Sequence, residues 1–422
     1  MQILENIIWT YLTIPLLLIV SLFFTIVTKG AQFRFKKIIV ALKSGDTAKE
    51  ITPLATLLIA LSARIGVGTL AGTGLAIAIG GPGAIFWMWI SSLITAGASF
   101  AENTFAQKFK RGKSSQTHGG PAFYIKDGLK SHKLAVLYAV VFVTTYTLGF
   151  VAVQMNTITV VITQNINLSP LLIGIFLTIL TGMAIMGSIT KISQLIAKII
   201  PLIAILFCAI ALIVIGLHFC YIPTFFSEII TSAFNFSSAI GGGIGIAITT
   251  GIRRGVFSNE AGLGTGSHSA ALTQHQDPRE QGYIGVIGIY LTTIITVTLV
   301  AFIIMSANAH QLVTPTGNGI EFLHFSLLQL FGPATAIILP LIIFFFGFST
   351  VITAYLYGIM NIKFLTSNKL AIIGLRLVLL SVVLLASTAS SGIIWQLVDI
   401  GVGITAIINL ISLVFLRKHL KN

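Results

Sequence analysis

SARIGVGTLAGTGLAIAIGGPGAIFWMW, residues 62–89, sets an arginine and a cluster of glycines into a run that is otherwise hydrocarbon. Five of those glycines fall within residues 66–80. An interrupted helix in lipid leaves N–H and C=O groups without intrahelical partners, which is tolerated only where protein, water or a ligand satisfies them. Glycine supplies the dihedrals for such a break and lets a ligand approach the backbone. The freed carbonyls suit a dehydrated cation, and the N-terminus of the following half-helix suits a carboxylate. The plainer reading is helix packing, for which spacings such as Gly68-xxx-Gly72 are common.

The rest of the chain makes lipid its solvent. Of 422 residues 55% are hydrophobic and only 9% charged, and the mean hydropathy is +0.99. A soluble domain of this length needs far more surface charge. The formal charge of +14 would suggest nucleic acid in a polar protein. Here Lys and Arg gather at the ends of the apolar runs, with Arg64 and Lys198 inside them, which fits topology and anionic lipid instead. Cys208 and Cys220 are too few for a metal site.

A hydrocarbon core of ~30 Å needs about 20 helical residues. Eleven stretches meet or approach that length: 8–28, 54–79, 83–106, 134–162, 170–188, 194–219, 231–250, 283–305, 334–359, 371–389 and 393–416. The first is expected to be a retained span, since no small-x-small cleavage site follows it. One set of loops holds residues 29–50, 108–133 and 251–282 (with Arg253, Arg254 and Arg279), Lys191, Lys363, Lys369 and the basic tail. The other set, 163–169, 221–228, 306–322 and a turn near 390, has no Lys or Arg. This bias predicts an extracellular or periplasmic N-terminus and a cytoplasmic C-terminus in the cell inner (plasma) membrane.

Setting aside residues 1–50, with the first span and a basic loop, ten spans divide into residues 51–228 and 229–422. Five spans per half make the halves antiparallel. Each opens on its most glycine-rich stretch, GVGTLAGTG at 66–74 and GGGIG at 241–245. Glycine-interrupted segments in corresponding positions are the signature of an inverted-repeat secondary transporter.

Polar residues within the spans add candidates. Gln154 and Asn156 lie two apart on one helix, so at most one faces a pocket squarely, and interhelical bonding is an equal reading for each. Ser349 and Thr350 in FFFGFSTVITAY offer neutral oxygens for a sodium shell completed by backbone carbonyls near Gly66, or else bond to their own preceding turn. Glu102 and Asp399 are the acidic groups nearest to membrane positions and are candidate ion ligands, proton carriers or pair partners. Arg64 is expected to pair with a carboxylate at the cytoplasmic gate.

RIGVGTLAG, GGPGAIFWMW, the ENT of 102–104, GGPAFY and above all GIRRGVFSNEAGLG resemble the alanine/glycine:cation symporter family over residues 50–416. The resemblance implies an all-α polytopic membrane protein of LeuT-like fold, with inverted five-helix repeats plus one extra N-terminal helix and about 11 transmembrane helices. It also implies sodium-coupled uptake of small neutral amino acids such as alanine and glycine, with proton coupling as the alternative.

Carried over, Gly66, Gly68, Thr69 and Gly72 of the first break and Gly241, Gly242 and Gly243 of the second would hold the amino acid. Gln154 and Asn156 match a polar pair on the third core helix, Ser349 and Thr350 match hydroxyls that hold sodium, and Asp399 matches an acidic residue near the start of the last helix. Asn259 and Glu260 of FSNEAG would shape the cytoplasmic gate. The chain departs from the family where GTGN-x-x-G becomes GVGTLAG, so that Val67 and Thr69 replace a Thr and an Asn.

The rival readings are weaker. A channel needs a continuous polar lining or rings of carbonyls, and an enzyme needs paired carboxylates, H-E-x-x-H or a nucleophile with its base. A non-transporting protein on the same scaffold is the remaining alternative. The expected partners are a small neutral amino acid and membrane lipid, with Na+ or H+ co-transported and no cofactor, nucleic acid or obligate protein partner.

Overall fold

The computed structural model describes residues 2–43, 51–112, 118–166, 168–234, 243–273, 277–312 and 319–420. Among the described residues the fold is helical, with one isolated β-bridge between Arg111 and His118. The helices are α1 (Ile3–Val27), α2 (Phe35–Lys43), α3 (Pro53–Arg64), α4 (Val67–Gly80), α5 (Gly83–Lys108), α6 (Pro121–Gly128), α7 (His132–Asn165), α8 (Pro170–Ile185) and α9 (Ile189–Leu217). They continue as α10 (Ile222–Ala233), α11 (Gly243–Asn259), α12 (Thr265–Ala270), α13 (Arg279–Ser306), α14 (Ile320–Phe331), α15 (Thr335–Leu365), α16 (Lys369–Thr388) and α17 (Ser391–Leu416).

Helix starts follow local chemistry. Thr52 caps α3 through the Ala55 N–H at 3.2 Å, Ser169 caps α8 through Leu172, and Ser188 caps α9 through Lys191. Pro53, Pro121 and Pro170 occupy first turns, where their missing N–H costs nothing.

Eight helices among the described residues are by themselves long and apolar enough to cross a membrane, nine with α3 and α4 counted as one bent span. The chain is a multi-pass membrane protein. Pro170–Ile185 is apolar but shorter. Of the stretch 231–250, expected to be one span, the first residues end α10 and those from Gly243 begin α11, which continues to Asn259; residues 235–242 lie outside the described residues.

Side-chain placement suits lipid. Ile26, Leu202, Ile205, Leu385 and Phe415 are largely exposed, whereas Thr69, Ser99, Glu102, Gln154, Thr350 and Asn409 are buried. The helices gather in two groups, with α4, α5, α11 and α13 on one side and α7, α8, α15 and α16 on the other. Helix α1 lies against α5 and α17. A Cβ at Gly97 would stand 2.6 Å from Thr25 Oγ1, so glycine is what lets α1 and α5 approach.

Candidate functional site

The first break is short. Helix α3 ends at Arg64, α4 begins at Val67, and their axes differ by 48°. Gly66 is extended there, with φ −114° and ψ −166°. The Gln154 side-chain oxygen accepts from the Val67 N–H at 2.9 Å, satisfying the first donor of α4. A Cβ at Gly66 would lie 2.5 Å from Thr350 Oγ1 and 3.0 Å from Gln154 Oε1, so only glycine fits between α7 and α15.

Oxygens crowd around the end of α3. Thr350 Oγ1 donates to the Ser62 carbonyl at 2.8 Å and shares its bond with Phe346 O at 3.0 Å. The Ser62 hydroxyl donates to the Ser349 carbonyl at 2.9 Å and lies 2.8 Å from Thr353 Oγ1. Ser349 Oγ bonds within its own helix, to Phe346 O at 2.9 Å. The sequence reading missed Ser62 and Thr353. For Thr353 the signal was the spacing S-T-x-x-T at 349–353, readable only once the neighbouring helix is known.

A second interruption lies at residues 260–264, between α11 and α12; of the expected break at 241–245, only the segment from Gly243 falls within the described residues. Gly241 and Gly242 lie outside the described residues. Gly243 is the first residue of α11, and Gly245 is helical with nothing within 4 Å of a would-be Cβ. The left-handed dihedrals fall instead at Glu260 (φ 56°), Gly262 (φ 78°) and Gly264 (φ 80°). Glycine content alone does not stop a helix; a run of positive φ does.

The polar groups freed at this break find partners on surrounding helices. Glu102 Oε2 accepts from the Gly264 N–H at 3.1 Å and from Asn409 Nδ2 at 3.2 Å. Asn409 Nδ2 also donates to Gly262 O, Tyr138 OH donates to Leu263 O at 2.7 Å, and Tyr146 OH donates to Glu260 Oε1 at 2.8 Å. Glu260 is thus a structural member of the break, which residue patterning alone did not reveal. Arg64 is 2% exposed and reaches Gly285 O at 3.3 Å rather than closing an ion pair with either carboxylate.

The two interruptions meet. Thr69 Oγ1 donates to Arg64 O at 2.6 Å and lies 3.0 Å from Ser258 Oγ. A Cβ at Gly68 would stand 2.9 Å from the Phe257 ring, while Gly80 is close to Ala247, so α4 and α11 run antiparallel in contact. Gly72 faces the Arg254 stem, 4.0 Å from a would-be Cβ. Phe257 stacks between Phe150 at 5.0 Å and Trp395 at 5.5 Å, which gives the junction an aromatic wall.

Asn156 stands apart. Its amide donates to Ala386 O at 2.9 Å and Ala389 O at 2.8 Å, tying α7 to the end of α16. Arg253 and Arg254, placed by the sequence reading in a basic loop, lie within α11. Arg253 pairs with both Glu5 and Asp399, and Arg254 Nη2 lies 3.3 Å from Asp399 Oδ2. These two acids let two arginines sit in an apolar helix. The two arginines are the partners of Asp399 that could not be read from the sequence.

The model of the sodium:alanine symporter family matches residues 1–422. The chain is 35% identical to the probable sodium/glutamine symporter GlnT of Bacillus subtilis, over 99% of this chain and 89% of that protein. It is 34% identical to the amino-acid carrier protein AlsT of the same organism, over 98% and 88%. It is 33% identical to the sodium/alanine symporter AgcS of Methanococcus maripaludis, over 87% and 82%. These relatives are transporters and not enzymes. By the match along its full length, the chain belongs to the sodium:alanine symporter family.

Proposed function

We propose that this protein is a sodium-coupled symporter that takes up small neutral amino acids such as alanine and glycine across the plasma membrane. The observation that carries the reading is the junction of two interrupted, antiparallel helices, with Gln154 and Thr350 both placed at Gly66. Such junctions are where secondary transporters of inverted-repeat design hold substrate and ion. The halves 51–228 and 229–422 are the repeats of a LeuT-like fold, each containing one interruption, and α1 is the extra helix.

The start of α4, from Gly66 through Gly68 and Thr69 to Gly72, presents positive dipole and N–H groups to the substrate carboxylate, with Gln154 setting its entry. Phe150, Phe257 and Trp395 limit side-chain size. Sodium takes the Thr350 and Ser349 positions together with carbonyls between Ser62 and Gly66. Coupling follows from that contact: an ion that fixes these carbonyls fixes the start of α4, and so raises substrate affinity by the same factor that substrate raises ion affinity. With the N-terminus outside and the C-terminus inside, the membrane potential adds about 2.3 kcal/mol per charge per 100 mV to uptake.

Reconstituted protein tests the reading through uptake of labelled alanine with an imposed sodium gradient, beside a proton-gradient arm. Accumulation is expected with sodium, and Thr350→Ala is expected to raise the sodium concentration for half-maximal uptake about tenfold or more, as loss of a ligand worth ~1.4 kcal/mol implies. Uptake driven by protons alone favours the second reading, proton coupling, which the buried Glu102 and Glu260 support. No alanine uptake under either gradient overturns the substrate assignment.

A further inference from the structure

The second break carries more negative charge than its protein surroundings neutralise. Glu102 and Glu260 are 0% and 1% exposed. Each uses one carboxylate oxygen in the hydrogen bonds described above. The other oxygens, Glu102 Oε1 and Glu260 Oε2, are buried without a hydrogen-bond partner, as are Nε and Nη2 of Arg64.

Among the described residues, Arg64 on α3 is the guanidinium beside this break, its Nη2 2.7 Å from a would-be Cβ at Gly266. The other titratable groups facing the carboxylates are uncharged. Tyr124 on α6 bonds with Asn409, and Tyr138 and Tyr146 on α7 donate to the break. Tyr357 on α15 stacks on His268 of α12. His268 Nδ1 lies 3.2 Å from Thr265 O, and its Nε2 lies 2.8 Å from the Asn361 amide nitrogen. That is the neutral ring, with one nitrogen donating and the other accepting.

Two carboxylates against one guanidinium leave one buried negative charge uncompensated, and an isolated buried carboxylate is strongly unfavourable. We propose that the break at residues 260–264 is a binding site for one small monovalent cation, sodium or a proton, shared by Glu102 and Glu260. Glu260 holds a left-handed backbone that side chains rarely adopt, and such conformations persist where surrounding structure imposes them. Because Glu102 also holds the Gly264 N–H, occupancy by the cation is tied to the shape of the break. The role of this site in coupling rests on the symporter reading above; the binding itself does not.

The test uses the purified full-length protein and requires no transport. Equilibrium retention of radioactive sodium is measured on wild type and Glu260→Gln, and infrared difference spectra are recorded for exchange of sodium against potassium and across pH. If sodium is the occupant, Glu260→Gln retains one sodium ion fewer per protein than wild type. If a proton is the occupant, sodium retention is equal and wild type shows a protonated-carboxyl band that Glu260→Gln or Glu102→Gln removes or shifts. Equal sodium retention with no such band overturns the proposal. The wild-type spectra alone keep the test open should a variant not fold. A protein that binds the cation but carries no amino acid refutes the substrate reading and leaves this site standing.

Discussion

At the scale of single residues, Gln154 and Asn156 show what a shared sequence motif conceals. Two positions apart on a helix, they point in nearly opposite directions. Gln154 reaches the Val67 N–H at the first break, and Asn156 reaches carbonyls at the end of α16. Gln154→Ala leaves a buried N–H unpaired, at a cost of about 1–3 kcal/mol. If that cost falls on the substrate-bound state, substrate affinity drops roughly tenfold to a hundredfold, which equilibrium binding of labelled alanine would measure. Asn156→Ala loses two helix-to-carbonyl bonds remote from the junction. It is expected to lower thermal stability while leaving substrate affinity within about twofold, since the partners of Gln154 and Thr350 are untouched. Equal affinity losses in the two variants would refute this division of roles.

At the scale of elements, the first interruption was legible because glycine density and conformation coincide around Gly66. The interruption at 260–264 was not, because its glycines are sparser. GGGIG at 241–245 is the denser glycine run, and its described residues Gly243 and Gly245 are helical. NEAGLG carries the positive φ values at Glu260, Gly262 and Gly264. Gly264→Ala would strain a left-handed residue by ~1–2 kcal/mol and drive a methyl into Pro121 and to 2.7 Å from Tyr138 OH. Loss of folded protein, read by size-exclusion and thermal unfolding, is expected. Gly245→Ala meets open space and removes a helical glycine, so it should be neutral or stabilising by ~0.5–1 kcal/mol. The opposite order of stability would refute the left-handed strain assigned to Gly264.

At the scale of the whole molecule, the distribution of Lys and Arg sets the expected orientation, and the pairing of Arg253 and Arg254 removes two charges from that count without reversing it. The native cysteines test the result. Cys220 is exposed just beyond α9, and Cys208 is half-buried within it. With the N-terminus outside, a membrane-impermeant maleimide added to intact cells should label Cys220 and spare Cys208. Labelling of Cys220 only after the membrane is opened would invert the topology. The structure also gives α1 a specific attachment. Trp9 donates to Asp399 O at 2.9 Å, and Glu5 pairs with Arg253, so α1 is joined to both α11 and α17.

By itself the sequence determined the solvent, the helical class, the approximate set of spans, the first break and the family, because each is written in composition, periodicity or contiguous motifs. Tertiary structure decided which of two adjacent amides reaches the junction, where the second helix breaks, and which acids face Arg64, Arg253 and Arg254. Those outcomes depend on groups hundreds of residues apart arriving within a few ångströms. Ser62 meets Thr353 at 2.8 Å and Asn409 meets Glu102 at 3.2 Å across separations of 291 and 307 residues. In a low-dielectric interior an unpaired polar group is costly, and linear order does not say which partner relieves that cost.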